Sequence, residues 1–185
     1  MAKKKSKKQT NLVINLVIIA LSVLIVCTLF MPVYTHKLDN MFTGSSSSST
    51  TGSDVIAATF ASEYSSDLST GANSLVALKN SEENGFVATV SCWAYFLTIV
   101  AAAALAVFAL LGLLGIKFDV FTLICGAATL LLGIIAAIFI MITAGKFGSV
   151  DLGSLVSAKT VAAIGAYILF AGLIAGGAAV YSTKK

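Results

Sequence analysis

The chain contains no arginine, a single proline and a single histidine in 185 residues, and only 11% of it is charged. Each scarcity excludes something. Without arginine there is no guanidinium fork for bidentate contacts to guanine or phosphate, so nucleic-acid binding is not expected. The three cysteines, Cys27, Cys92 and Cys125, fall within or beside apolar runs and form no Cys-x-x-Cys pair. The long hydrophilic segment holds none of them, which leaves neither a disulfide framework nor a zinc-ligand spacing. His36 alone cannot build a His/Cys cluster or a facial triad. Any Ser/His/Asp triad would have to use it, and no Gly-x-Ser-x-Gly elbow accompanies it. Walker A and Gly-x-Gly-x-x-Gly fingerprints are missing as well. The sequence therefore predicts no enzyme, no cofactor and no metal.

Hydrophobic residues are what the chain has in excess. They make up 58% of it, at a mean hydropathy of +0.97. Soluble domains are about 45–50% apolar and roughly 25% charged. This composition reads as an integral membrane protein.

Four apolar runs are long enough to cross a bilayer, which takes about 20 helical residues. They are 12–33, 92–116, 120–143 and 161–181. None carries Asp, Glu, Lys or Arg, each of which costs roughly 2.5–3.5 kcal/mol at mid-membrane. The first run follows MAKKKSKKQT, as a signal peptide would. It is longer than a signal core and no small-x-small site follows, so it reads as an uncleaved anchor. Pro32 is placed where that helix should end. Residues 117–119 form a tight turn between the second and third runs.

Lysine placement orients the spans. Lys3, Lys4, Lys5, Lys7, Lys8, Lys117, Lys184 and Lys185 share one side. By the positive-inside rule the tails 1–11 and 182–185 are cytoplasmic. Trp93, Tyr95 and Phe96, with Tyr34, would then mark the outer interface and Tyr181 the inner one. Lysine in place of arginine throughout also suits an AT-rich bacterial genome, and hence a bacterial plasma membrane.

The loop 34–91 is the large exposed piece. Thr43–Ser53 is Ser/Gly/Thr-rich and reads as flexible. Ser53-Asp54 would cap a helix running to Leu68, with Ile56, Phe60, Tyr64 and Leu68 among the residues of an apolar interaction face. Ser74–Lys79 and Phe86–Ser91 flank NSEENG, consistent with a short hairpin or with an early start of the second span. The second outer loop, 144–160, reads as a connector.

Within the spans the polar groups are few: Asn15, Ser22, Thr28, Thr98, Thr122, Thr129 and Tyr167. Ion-coupled carriers use intramembrane acids, bases or histidine, and none is here. Small residues abound instead. The fourth run contains Gly165 and Gly172-x-x-x-Gly176, which permit close helix packing within the bundle or between copies.

Four spans, both termini inside, a first outer loop of about 55 residues and a short second one: this layout resembles the claudin-like superfamily of junction and myelin membrane proteins. Claudins carry a Trp/Leu-Trp signature and two cysteines in the first outer loop. That loop has neither here, since Cys92 and Trp93 stand later, at the start of the second span. The resemblance thus implies adhesion or lateral assembly, without a disulfide-stapled outer sheet.

The expected architecture is an all-α, four-span bundle with a small, partly ordered extracytoplasmic insertion. The expected function is that of a membrane scaffold, accessory subunit or lateral-assembly protein, whose partners are the lipid bilayer and other membrane proteins or itself. The alternative is a binder or carrier of a lipid or small neutral ligand within the bundle. A minor one is protection against a membrane-active peptide.

Overall fold

Among the described residues, four stretches are long and apolar enough to cross a membrane: Leu12–Phe30, Gly85–Leu113, Asp119–Lys146 and Ile164–Ser182. The structure is a computed structural model and describes residues 2–40, 44–116, 118–147, 150–151 and 156–183. Its helices are α1 (Ala2–Cys27), α2 (Gly52–Phe60), α3 (Thr70–Lys79), α4 (Gly85–Leu113), α5 (Asp119–Lys146), α6 (Ile164–Ile168) and α7 (Ala171–Thr183). Its strands are β1 (Pro32–Asn40), β2 (Gly44–Thr51), β3 (Val150–Asp151) and β4 (Val156–Ala162). The chain falls into two units.

The first unit is helical and comprises Met1–Cys27, Leu97–Ile134 and Leu169–Lys185. Ile18, Leu105, Ala109, Ala175 and Ala179 form its buried core, with Ile14, Leu21 and Cys125 packed against them. Small residues let backbones approach. A Cβ on Gly172 would stand 3.0 Å from the Thr129 carbonyl oxygen, and one on Gly176 would collide with the Gly126 carbonyl. Asn15, one of the few polar groups of the first run, lies 3.1 Å by its Nδ2 from where a Gly112 Cβ would be. Thr129 satisfies its hydroxyl within its own helix, donating to the Cys125 carbonyl at 2.8 Å. The α4–α5 turn closes on Gly115, at φ 87°. Ile116 N–H donates to Leu111 O at 3.1 Å and Gly115 N–H to Gly112 O at 3.2 Å. This is the paired bonding of a Schellman C-cap, which needs a residue free to take positive φ.

The second unit comprises Thr28–Phe96 and Ile135–Ile168. It contains a four-stranded antiparallel sheet in the order β2-β1-β4-β3, so the fold is not all-α as composition suggested. The Ser-rich segment read as flexible is strand β2, in register with β1 from Asn40↔Gly44 to Tyr34↔Thr50, with a shift before the last pair, Pro32↔Thr51. The second loop, read as a connector, supplies β3 and β4, and β4 pairs with β1 from Tyr34↔Ala162 to Asn40↔Val156. β4 was not visible locally, because its partner β1 lies more than a hundred residues away, and β2, though it pairs with the nearby β1, has no hydrophobic alternation to mark it. Pro32 takes the first position of β1, where a strand tolerates it.

Element ends shift accordingly. The first span leaves α-helix at Cys27 and passes through a 3-10 turn, Thr28–Phe30, before the strand. Val161 and Ala162 belong to β4 rather than the fourth span. That span is itself broken between α6 and α7. The possible hairpin at 74–91 is helical instead: α3, then the first turns of α4. Ser69 caps α3, accepting the Ala72 N–H at 3.0 Å, and Ala72, Leu75 and Val76 bury one face.

Candidate functional site

The alternation of β1 decides which groups meet. Tyr34, His36 and Leu38 share one face of the strand. Tyr34, expected at a membrane interface, is wholly buried. Its hydroxyl shares a 3.0 Å hydrogen bond with Ser91 Oγ, and its ring meets Phe147 edge-on at 5.5 Å. Burial pushes the Tyr34 phenol far above its ordinary range, beyond any physiological titration.

Two residues along, the half-buried His36 is held on both sides. Its Nδ1 is 2.9 Å from Thr160 Oγ1 on β4, and its Nε2 is 3.0 Å from Thr50 Oγ1 on β2. Phe147 also covers it, ring centroids 5.1 Å apart. Burial lowers the imidazole pKa, because no carboxylate offsets the loss of water around the charged form. His36 therefore acts as a neutral clasp that ties three strands together.

Beside this clasp is a cavity of about 420 Å³. His36, Leu38, Ser46, Ser48 and Thr160 come from the sheet face. Ser74 of α3 and Phe147 close the sides. Lys37, Ser47 and Lys159 also border it, but as the intervening positions of the same strands they turn their side chains to the opposite face of the sheet. Lys37 and Lys159 are direct register partners between β1 and β4. None of the ten lining residues is acidic. The site is rich in hydroxyl groups, with an aromatic and an aliphatic wall. Sequence reading passed over it, since a lone histidine and a serine run say nothing until strands place them side by side. The one legible signal was the alternation Tyr34, His36, Leu38 after Pro32.

The interaction face predicted on one helix is divided. The helix α2 ends at Phe60, leaving Tyr64 and Leu68 in irregular chain. Ser65 and Asn73 provide the competing bonds: Ser65 Oγ accepts the Asp67 N–H, and Asn73 Nδ2 donates to Ser65 O at 2.9 Å. Lys79 stops the helix, its Nζ donating to the carbonyls of Ala58 at 2.6 Å, Thr59 at 3.2 Å and Ala61 at 2.7 Å. The N-cap is Thr51 rather than Ser53-Asp54, with Asp54 answering from the third position of a capping box. Ile56 is half-buried, whereas Phe60 is 61% and Tyr64 78% exposed.

Phe60 instead joins an aromatic cluster with Trp93 at 5.6 Å and Phe96 at 5.0 Å. Tyr95, between them in sequence, turns inward and shares a 2.9 Å hydrogen bond with Thr28 Oγ1. Of the three glycines singled out, Gly172 and Gly176 lie against the backbone of α5. Gly165 faces Pro32 at the start of β1, where a Cβ would come 2.8 Å from the Pro32 carbonyl oxygen.

The three cysteines are free. Among the described residues, no group of three or more His, Cys, Asp or Glu side chains is gathered to hold a metal ion. Comparison with protein-family models, with curated proteins and with solved structures returns no match, so the reading of this site stands on its own geometry.

Proposed function

We propose that this chain is a non-enzymatic multi-pass protein of the bacterial plasma membrane. Both termini lie in the cytoplasm and the sheet lies outside. It acts as a scaffold or accessory subunit that assembles laterally with itself or with other membrane proteins. The layout it shares with claudin-like proteins points the same way.

The observation that carries this reading is the edge strand β2. Among the described residues it has a neighbour on one side only, β1. Its eight residues, GSSSSSTT, include no charge and no proline. Soluble sheets guard such edges with lysine, proline or a bulge, because an open row of backbone N–H and C=O groups templates another strand. An unguarded polar edge suits addition of a strand from a neighbouring chain, in which main-chain bonds supply affinity.

Native mass spectrometry of the protein, extracted gently from its own membrane, tests this. A discrete oligomer or a bound second protein is expected, and Ser49→Lys, which places a charge on the edge, should dissolve it. A monomer carrying a stoichiometric lipid would overturn the reading and favour a lipid binder.

A further inference from the structure

The face of the sheet that carries His36 holds a cavity that assembly through β2 does not use. Pairing fixes which side chains reach it. His36 of β1 has Ser48 on one side and Thr160 on the other, and Leu38 has Ser46 beside it. Directly paired residues project to the same face, so these two rows form the floor. Neighbouring strands are about 4.8 Å apart, and the two rows are separated by two residues, so the floor measures about 10 Å by about 7 Å. Phe147 and Ser74 of α3 close its sides, and the space is about 420 Å³. Sites that hold small molecules run from roughly 300 to 1,000 Å³.

Among the described lining residues, none brings a charge to this face. Lys37 and Lys159 leave by the other side of the sheet, and no lining residue is acidic. What remains is hydroxyl. Ser46, Ser48 and Thr160 each offer one donor and two acceptor lone pairs. Ser74 donates to Thr70 O at 2.8 Å and so presents lone pairs. A neutral imidazole donates through one nitrogen and accepts through the other, and Thr50 and Thr160 hold one nitrogen each. With the proton on Nδ1, Thr160 accepts from the ring and its own proton is left for the cavity. With the proton on Nε2, Thr160 donates to the ring and presents lone pairs. His36 can therefore suit either polarity of group at Thr160 by changing tautomer.

An ion finds no opposite charge here to replace its water. A ligand whose groups both donate and accept does find partners, and an alcohol is such a group. Several are needed on one molecule, because the hydroxyls are spread over three strands and a helix. Phe147 and Leu38 add apolar surface. The C–H face of a sugar ring suits it, since its slightly positive hydrogens are attracted to an aromatic π-system.

We propose that this cavity binds a neutral saccharide. The sugar hydroxyls pair with Ser46, Ser48, Ser74 and Thr160, and a C–H face rests on Phe147 and Leu38. The sugar could be free in solution or the headgroup of a glycolipid, and the contacts are the same for both.

His36 is the chain's only histidine, so its ring is a single-residue reporter on the cavity floor. The full chain, labelled with ¹⁵N in histidine, is held at pH 7.5 in a micelle of octaethylene glycol dodecyl ether, a detergent without sugar. The free probes are glucose, mannose and N-acetylglucosamine, each raised to about 100 mM so that a site of millimolar affinity saturates. Dodecyl maltoside mixed into the micelle presents the headgroup form. Inorganic phosphate and tetramethylammonium chloride are the charged counterparts.

A saturable shift of the ring signals with at least one free sugar, or with the maltoside, is expected. A response to a free sugar points to a soluble saccharide, and a response to the maltoside alone points to a headgroup. In Ser46→Ala/Ser48→Ala the half-saturating concentration should rise about tenfold, equivalent to about 1.4 kcal/mol. Both serines are exposed and neither holds the ring, so the ligand-free signals should be unchanged in that variant. Lys37→Gln/Lys159→Gln should bind as the parent chain does. No saturable shift with any sugar probe, saturation by phosphate or tetramethylammonium, undiminished binding in the serine variant, or a matching loss in the lysine variant would overturn the proposal.

Discussion

His36 and Thr160 are 124 residues apart in sequence, and their Nδ1 and Oγ1 atoms are 2.9 Å apart. This bond links the strand that follows the first span to the strand that precedes the fourth. Thr160→Val keeps the shape of the side chain and removes the hydroxyl. Loss of a half-buried hydrogen bond costs about 1–2 kcal/mol. Chemical unfolding in micelles should show a loss of that size, while Thr160→Ser should show little.

The same histidine makes stability depend on pH. Burial lowers its pKa in the folded state below the ordinary value of 6.5. Between those two values the unfolded chain binds a proton that the folded chain does not. The contribution is therefore intact above about pH 6.5 and is lost as pH falls from there toward the folded value. Thermal unfolding midpoints measured from pH 7.5 down to 5.5 should drop, and His36→Gln should flatten that slope.

Two adjacent glycines of α7 should behave oppositely. A Cβ on Gly176 would meet the Gly126 carbonyl and the Leu130 side chain, whereas a Cβ on Gly177 meets nothing within 4 Å. Gly176→Ala should cost about 1–3 kcal/mol by overpacking. Gly177→Ala should be neutral or stabilise by up to about 1 kcal/mol through helix propensity. Steric trapping or denaturant unfolding of the two variants side by side checks the difference.

Lys79 holds the end of α2 through three carbonyls. Bonds to a charged donor contribute about 1.5–3 kcal/mol where they are sheltered. Lys79→Met keeps most of the aliphatic stem and removes the donor. Hydrogen exchange should speed up across 52–60 and leave α7 unaffected.

Trp93 is the chain's only tryptophan and sits in the aromatic cluster with Phe60 and Phe96. It is 42% exposed on a helix long and apolar enough to cross a membrane. Brominated lipids should quench its fluorescence most strongly when the bromine lies near the headgroups. Phe60→Ser should shift its emission, since Phe60 covers part of the ring.

The four spans were legible because each is a local matter. A long uncharged apolar run favours helix, because bare backbone and charge are costly in hydrocarbon, though the fourth run starts as strand and breaks between α6 and α7. The sheet was not legible for two reasons: β4 is distant from its partner β1, and β2, close to β1, lacks a strand pattern. Ser45–Ser49 has no hydrophobic alternation to reveal a strand, and β4 runs straight into the fourth apolar stretch. The helix expected to run to Leu68 ends at Phe60 for a local reason. The hydroxyls and amides around residue 65 compete for the backbone, and a lysine from α3 takes the helix-end carbonyls.

The sequence by itself determined how many times this chain can cross a membrane, and its lysines set the expected orientation. It also limited the chemistry available, with one histidine and no arginine. Tertiary structure alone decided that His36 lies between Thr50 and Thr160, and that Lys37 faces Lys159. Helix formation is settled over a few turns by hydropathy and local bonds. Strand pairing is settled only when a partner arrives, and one of β1's two partners, β4, lies at the other end of the chain.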